Sequence, residues 1–212
     1  MLQLVIGNKN YSSWSMRPWV LMRHFGLAFD EVKLRFDFAE NSSFYRELAR
    51  YTPAGRVPVL LDGSFAVWDT LAIAERVAEM LPAKPVWPRD ALQRARARSL
   101  CAEMHAGFMA LRQHCPMNIE AHLPEVGARL LAEQPALRHD LHRIASMWSD
   151  ATRGSGGPFL FGEFGAADAY FAPVVARSRT YGLPLPADVQ AYADRVWASP
   201  GVVAWVADAL AE

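Results

Sequence analysis

The first thirty-six residues constrain the fold most. Leu2–Ile6 is a short apolar run closed by Gly7, the pattern of a buried strand. From Ser13 to Phe25, Trp14, Pro18, Leu21, Met22 and Phe25 recur at helical spacing, and Gly26 stands where a helix stop belongs. Asp30–Phe36 then alternates through Val32, Leu34 and Phe36, as a half-buried strand does. Two strands separated by a helix cannot close as a hairpin. They pair in parallel through a right-handed crossover.

The next elements extend that sheet. Ser42–Arg50 reads as a short helix capped by Ser42 or Ser43. Val57–Leu61 and Ser64–Trp68 read as strands joined at Asp62-Gly63, a hairpin turn signal. Thr70–Leu81 follows as a helix with Leu71, Ala74, Val77, Ala78 and Leu81 on one face. Three prolines within residues 81–90 then break regular structure. Beyond them no strand is expected. Arg94–His114 reads as one long helix striped by Ala97, Leu100, Cys101, Met104, Phe108 and Leu111, and Pro135–Ala151 as another. RGSGGP, residues 153–158, reads as a loop. Further helices are expected near residues 167–178, 187–198 and 201–211. The domain reading is an α/β unit over residues 1–82, a linker over 83–90 and an all-helical unit over 91–212.

Composition narrows the function classes. Twenty-two basic residues balance twenty-two acidic ones across 212 residues, with no like-charge run of the kind that binds nucleic acid or an anionic membrane. No apolar run approaches the ~20 residues of a membrane span, and the first ten residues lack a signal-peptide pattern. Two cysteines, Cys101 and Cys115, make neither a disulfide framework nor a zinc motif. His139 and His142, at i and i+3, lack a third ligand nearby in sequence and read as surface residues, so no metal is expected. The base expectation is a cytoplasmic globular protein.

Three motifs carry chemistry. TPAGRVPVL (52–60) is followed by WDTLAIAE (68–75), with an acid and a hydroxyl opening a helix. FLFGEFGAADAYFAPVVAR spans 159–177, and SSWSMR (12–17) opens the first helix. Together with the βαβ-α-ββα order, these motifs resemble the glutathione transferase superfamily over essentially the whole chain, and SSWSMR resembles the serine motif of its zeta class and related bacterial enzymes. The resemblance implies a thioredoxin-like N-terminal domain plus an all-α C-terminal domain, glutathione as co-substrate, a small hydrophobic electrophile as second substrate, and a homodimer.

It also assigns residues. Ser12, five residues before Arg17, matches the family's thiolate-holding serine, with Ser13 in reserve. Both can equally be helix caps, which serine favours. A helix N-terminus offers free N–H groups and partial positive charge to an anion, and such surroundings lower a thiol's pKa. The resemblance implies a cis Val57-Pro58 bond that turns the Val57 backbone toward the cysteinyl part of glutathione. It places the γ-glutamyl end at Asp69 and Thr70, both of which are also good caps. The second-substrate cleft would draw on Trp14, Met104, His105, Phe108 and Arg112. Arg17 is expected to pair with an acidic helix residue within the fold, the alternative being a carboxylate of glutathione. Asp168 is expected to cap its helix alone, because Gly165 stands where the family has a hydroxyl.

Overall fold

The computed structural model describes residues 1–212. Its sheet has the order β2-β1-β3-β4. β1 (Leu2–Ile6) runs parallel to β2 (Asp30–Lys33), with Val5 opposite Val32. β3 (Val59–Asp62) is antiparallel to β1 and to β4 (Phe65–Trp68). The β3–β4 turn is made possible by Gly63, at φ 61, a left-handed conformation open to glycine at little cost.

Strand alternation distributes the core between the two sheet faces. Leu4, Ile6 and Leu60 join α1 (Ser13–His24) and α3 (Thr70–Met80) in the main core. Val5 and Val59 point the other way, against Phe44 and Leu48 of α2 (Ser43–Leu48). Ser42 precedes α2, but its hydroxyl donates to the carbonyl of Asp37 and caps nothing.

Seven further helices follow: α4 (Ala91–Ala106), α5 (Met109–His114), α6 (Pro124–Glu133), α7 (Pro135–Ser155), α8 (Ala166–Tyr181), α9 (Ala187–Trp197) and α10 (Pro200–Leu210). The first domain's α1 packs on α8 and α10, and one cluster of 46 buried residues runs through both domains. A shared apolar core of that kind fixes the relative position of the two units.

The structure corrects the sequence reading in three places. The expected helix over 94–114 is two helices, broken where Gly107 is extended and Phe108 is left-handed at φ 58. The break frees the carbonyls of Met104 and His105, and Arg112 reaches back to donate to both from Nη2. Helix α6 was not anticipated; its short apolar pattern sits behind Pro124, a favoured first helical residue. The loop expected from residue 153 begins later, because α7 continues to Ser155 and stops at Gly156, at φ 65.

Candidate functional site

The segment between β1 and α1 is tied down on every side. Lys9 is buried, with Nζ 2.6 Å from Glu31 and 2.5 Å from Asp208, over the ring of Trp19. The Glu212 carboxylate accepts from the N–H groups of Lys9 and Asn10. Asn10 in turn accepts from Ile119 and Glu120 of the helical domain. The mouth of α1 is therefore positioned by both domains.

Within that mouth the three serines have different surroundings. Ser12 is buried, and its hydroxyl is 2.7 Å from Ser15 Oγ while accepting from the Ser15 N–H. Ser15 Oγ also accepts from Gly7 N–H, tying α1 to the end of β1. Ser13 is half-buried, and its oxygen accepts from Arg177 Nη2 at 3.2 Å. Its proton has no acceptor within the protein. Ser12 thus serves as the cap of α1 and shares a single hydroxyl hydrogen bond with Ser15, while Ser13 is the least buried of the three hydroxyls and keeps its proton free.

Trp14 lies at the domain junction. Its ring is edge-on to His105, with centroids 4.9 Å apart, while Arg17 and Arg112 stand over it at 4.2 and 4.7 Å. His105 Nε2 is 3.5 Å from Asp69 Oδ2, which links the end of α4 to the start of α3. Asp69 is exposed, sits at φ 73 and accepts from the Leu71 N–H. A non-glycine residue at that φ is strained, and such strain clusters at ligand sites. Nearby, the Val57-Pro58 bond is cis, as expected, and Val57 makes no backbone hydrogen bond through either its N–H or its C=O.

Three expected site residues are placed differently. Thr70 is buried, and its hydroxyl accepts from Tyr170 OH at 2.8 Å. Met104 and Phe108 belong to the main core, Met104 fully buried and Phe108 nearly so. Their apolar character reflects packing, and the helix break turns Phe108 inward.

Arg17 also departs from expectation, because no acid pairs with it. It is 2% exposed, forms no ion pair, and leaves Nε and Nη1 without acceptors. Tyr170 lies on its other side, 4.7 Å from ring centroid to guanidinium carbon. Burial, with Arg112 and Arg177 close by, lowers its pKa to about 9, so it remains a cation at neutral pH. Arg177 is lowered to about 10 for the same reasons and is held by the carbonyls of Cys115 and Pro173. Neither Arg177 nor the Asp69–His105 contact was anticipated from sequence. Arg177 does end the quoted motif FLFGEFGAADAYFAPVVAR, but nothing in its spacing marks it.

Other candidates are structural. Asp168 is buried and accepts from Gly165 N–H, Leu160 N–H and Tyr192 OH, so three donors hold its carboxylate although Gly165 supplies no hydroxyl. Cys101 and Cys115 are free and buried, and burial pushes both thiols up, Cys115 to about 11. Neither is a thiolate at neutral pH. His139 and His142 are exposed, and no group of three potential ligands forms a metal centre. A cavity of about 310 Å³ between the linker and the start of α8 is lined by Pro88, Arg89, Gln93 and Phe161 and contains none of the expected site side chains. The chemistry gathers instead at the α1–α3–α4 junction.

Residues 11–80 match the family described as glutathione S-transferase, N-terminal domain. Along the whole chain, this protein is similar to a glutathione transferase homolog from Burkholderia, solved with bound glutathione, at 26% identity and a TM-score of 0.72, covering 100% of this chain and 99% of that one. It is 26% identical to glutathione S-transferase 1 of Dianthus caryophyllus over 172 residues, 80% of this chain and 74% of the relative. A probable maleylacetoacetate isomerase of Caenorhabditis elegans is 26% identical over 99 residues, 47% of this chain and 44% of its own. The architecture is the glutathione transferase one, a thioredoxin-like domain followed by a helical domain. No helix of the transferase-like chain is long and apolar enough to cross a membrane.

Proposed function

We propose that the protein is a glutathione transferase whose sulfur site is Ser13. The observation that carries this reading is the unpaired Val57 peptide beside strained Asp69, on adjacent strand ends. An extended tripeptide can pair with the free N–H and C=O of Val57 as a short added strand. Asp69 meets the γ-glutamyl ammonium, and the first turn of α3 offers N–H groups to the adjoining carboxylate. The Burkholderia homolog with bound glutathione supports the same ligand here.

The sulfur then lies at the N-terminus of α1. Ser13 donates its free proton to the thiolate, while the helix end and Arg177 favour the anion electrostatically. Ser12 contributes indirectly by capping the helix. The thiolate attacks an electrophilic carbon, by addition or substitution. Glutathione-assisted cis–trans isomerisation is the second reaction, favoured by the partial similarity to a probable maleylacetoacetate isomerase.

The test is the ultraviolet absorbance of bound thiolate against pH. Ser13→Ala should raise the bound thiol's pKa by about one unit, the equivalent of ~1.4 kcal/mol. Ser12→Ala should cost about 1 kcal/mol of stability through the lost cap and leave the titration in place. The reverse pattern would return the role to Ser12, and no binding of glutathione at all would sink the reading.

A further inference from the structure

Every other buried charged side chain has a partner. Lys9 has two carboxylates, Asp168 has three donors, and Arg177 has two carbonyls and Ser13. Arg17 has none. Its guanidinium lies over Trp14 and Tyr170, and ring faces attract the charge but accept no in-plane N–H. Nε and Nη1 are buried and unpaired, and Nη2, equally without an acceptor, is the nitrogen that stays accessible. Half-buried Arg112 stands over the same Trp14 ring, its Nε also unpaired. Arg177 adds a third guanidinium at Ser13. The acid nearest in influence, Asp140, acts on Arg112 and accepts from the Leu111 N–H. A buried cation without a counter-charge is costly unless something supplies one.

We propose that the missing counter-charge is a carboxylate carried by the second substrate, held by Arg17 and Arg112 beside Trp14. The inference rests on the sulfur site at Ser13 and deepens it, because the electrophile must then be an organic acid. The carboxylate meets the accessible Nη2 of Arg17, with the Arg112 charge over the same Trp14 ring adding to the attraction. Glutathione's own charged γ-glutamyl end is accounted for at Asp69, on the far side of His105. The thiolate is served by Ser13 and Arg177. Arg17 is left for the other reactant, and its charge selects acids over their neutral amides.

Calorimetric titration separates the possibilities with three ligands: glutathione, S-(para-carboxybenzyl)glutathione and the para-carbamoyl analogue. The intact protein should bind the acid at least tenfold more tightly than the amide, the equivalent of one charge-assisted hydrogen bond of about 1.5 kcal/mol. Arg17→Gln should reduce that preference to within about twofold while leaving affinity for glutathione unchanged, and Arg17→Lys should keep part of it. Equal binding of acid and amide by the intact protein would overturn the proposal with glutathione binding intact. So would an Arg17→Gln variant that keeps the preference but raises the bound thiol's pKa, since the guanidinium would then serve the sulfur.

Free para-nitrobenzoate against para-nitrobenzamide, read by tryptophan fluorescence, tests the anion seat apart from glutathione. If glutathione fails to bind while nitrobenzoate is preferred, the transferase reading falls and the anion seat stands. If nitrobenzoate is not preferred either, both fall. Should circular dichroism show Arg17→Gln unfolded, Arg112→Gln carries the same acid-against-amide comparison. Loss of preference in that variant supports the seat, and its retention refutes it.

Discussion

Replacing Tyr192 by Phe should make the protein's stability more sensitive to pH. Asp168 is 1% exposed and receives hydrogen bonds from Gly165 N–H at 2.9 Å, Leu160 N–H at 3.2 Å and Tyr192 OH at 3.0 Å. Burial outweighs those donors and raises the pKa from 3.8 to about 6. The folded chain therefore binds more protons than the unfolded chain between these two values. Stability is greatest below the unfolded pKa and is lost as pH rises through about 6, by roughly 3 kcal/mol for a shift of about two pH units. Tyr192 is itself buried, and its hydroxyl bonds most strongly to the ionised carboxylate. Removing it should cost about 0.5–1.5 kcal/mol near pH 5, where Asp168 is mostly protonated, and about 1.5–3 kcal/mol near pH 8. Urea unfolding at both pH values, followed by tryptophan fluorescence, reads the difference, since Trp148 lies 5.0 Å from the Tyr192 ring. An equal loss at both pH values would show that this carboxylate does not titrate between them.

Lys9→Met should lower stability by about 3 kcal/mol, the low end for breaking a buried pair because Glu31 and Asp208 keep contact with water; thermal unfolding measures it. Gly127→Ala should destabilise by more than about 1–3 kcal/mol, because the added Cβ would stand 1.8 Å from the Tyr181 carbonyl oxygen and force α6 off α8. Gly154→Ala is the matched control, meeting nothing within 4 Å inside α7; it should gain about 0.4–1 kcal/mol in the same unfolding assay.

The α/β layer was readable from sequence because its signals are local. Strand alternation, the Asp62-Gly63 turn and the stop at Gly26 each act within a few residues, and the observed strands and helices follow them. The break at Gly107–Phe108 was not readable. An aromatic residue in the left-handed region defies local preference, and only burial of Phe108 in the main core, with Arg112 closing the orphaned carbonyls, makes it tenable. The serines illustrate the same limit. Three hydroxyls within four residues pointed to the helix mouth, but what each oxygen accepts from depends on Gly7, eight residues before Ser15, and on Arg177, 164 residues beyond Ser13. Contacts of that span leave no periodic trace.

Departures from local preference in this chain are few, and they are not scattered. Of three non-glycine residues at positive φ, Asn41 is of a type that tolerates it, while Asp69 and Phe108 both border the α3–α4 junction. The buried cation without an acceptor, Arg17, lies at that junction too, over the ring that His105 touches. Each departure is locally unfavourable, and a sequence optimised for stability alone would remove it. Phe108 is the exception that explains the others. Its turn ends α4 at Ala106, which sets His105 against Asp69 and brings Arg112 back over Trp14. A continuous helix would carry Arg112 about 9 Å beyond Ala106 along the axis of α4 and leave Arg17 facing Trp14 alone. The geometry that breaks the helix is thus also what brings a second guanidinium to Trp14 at the junction of the two domains.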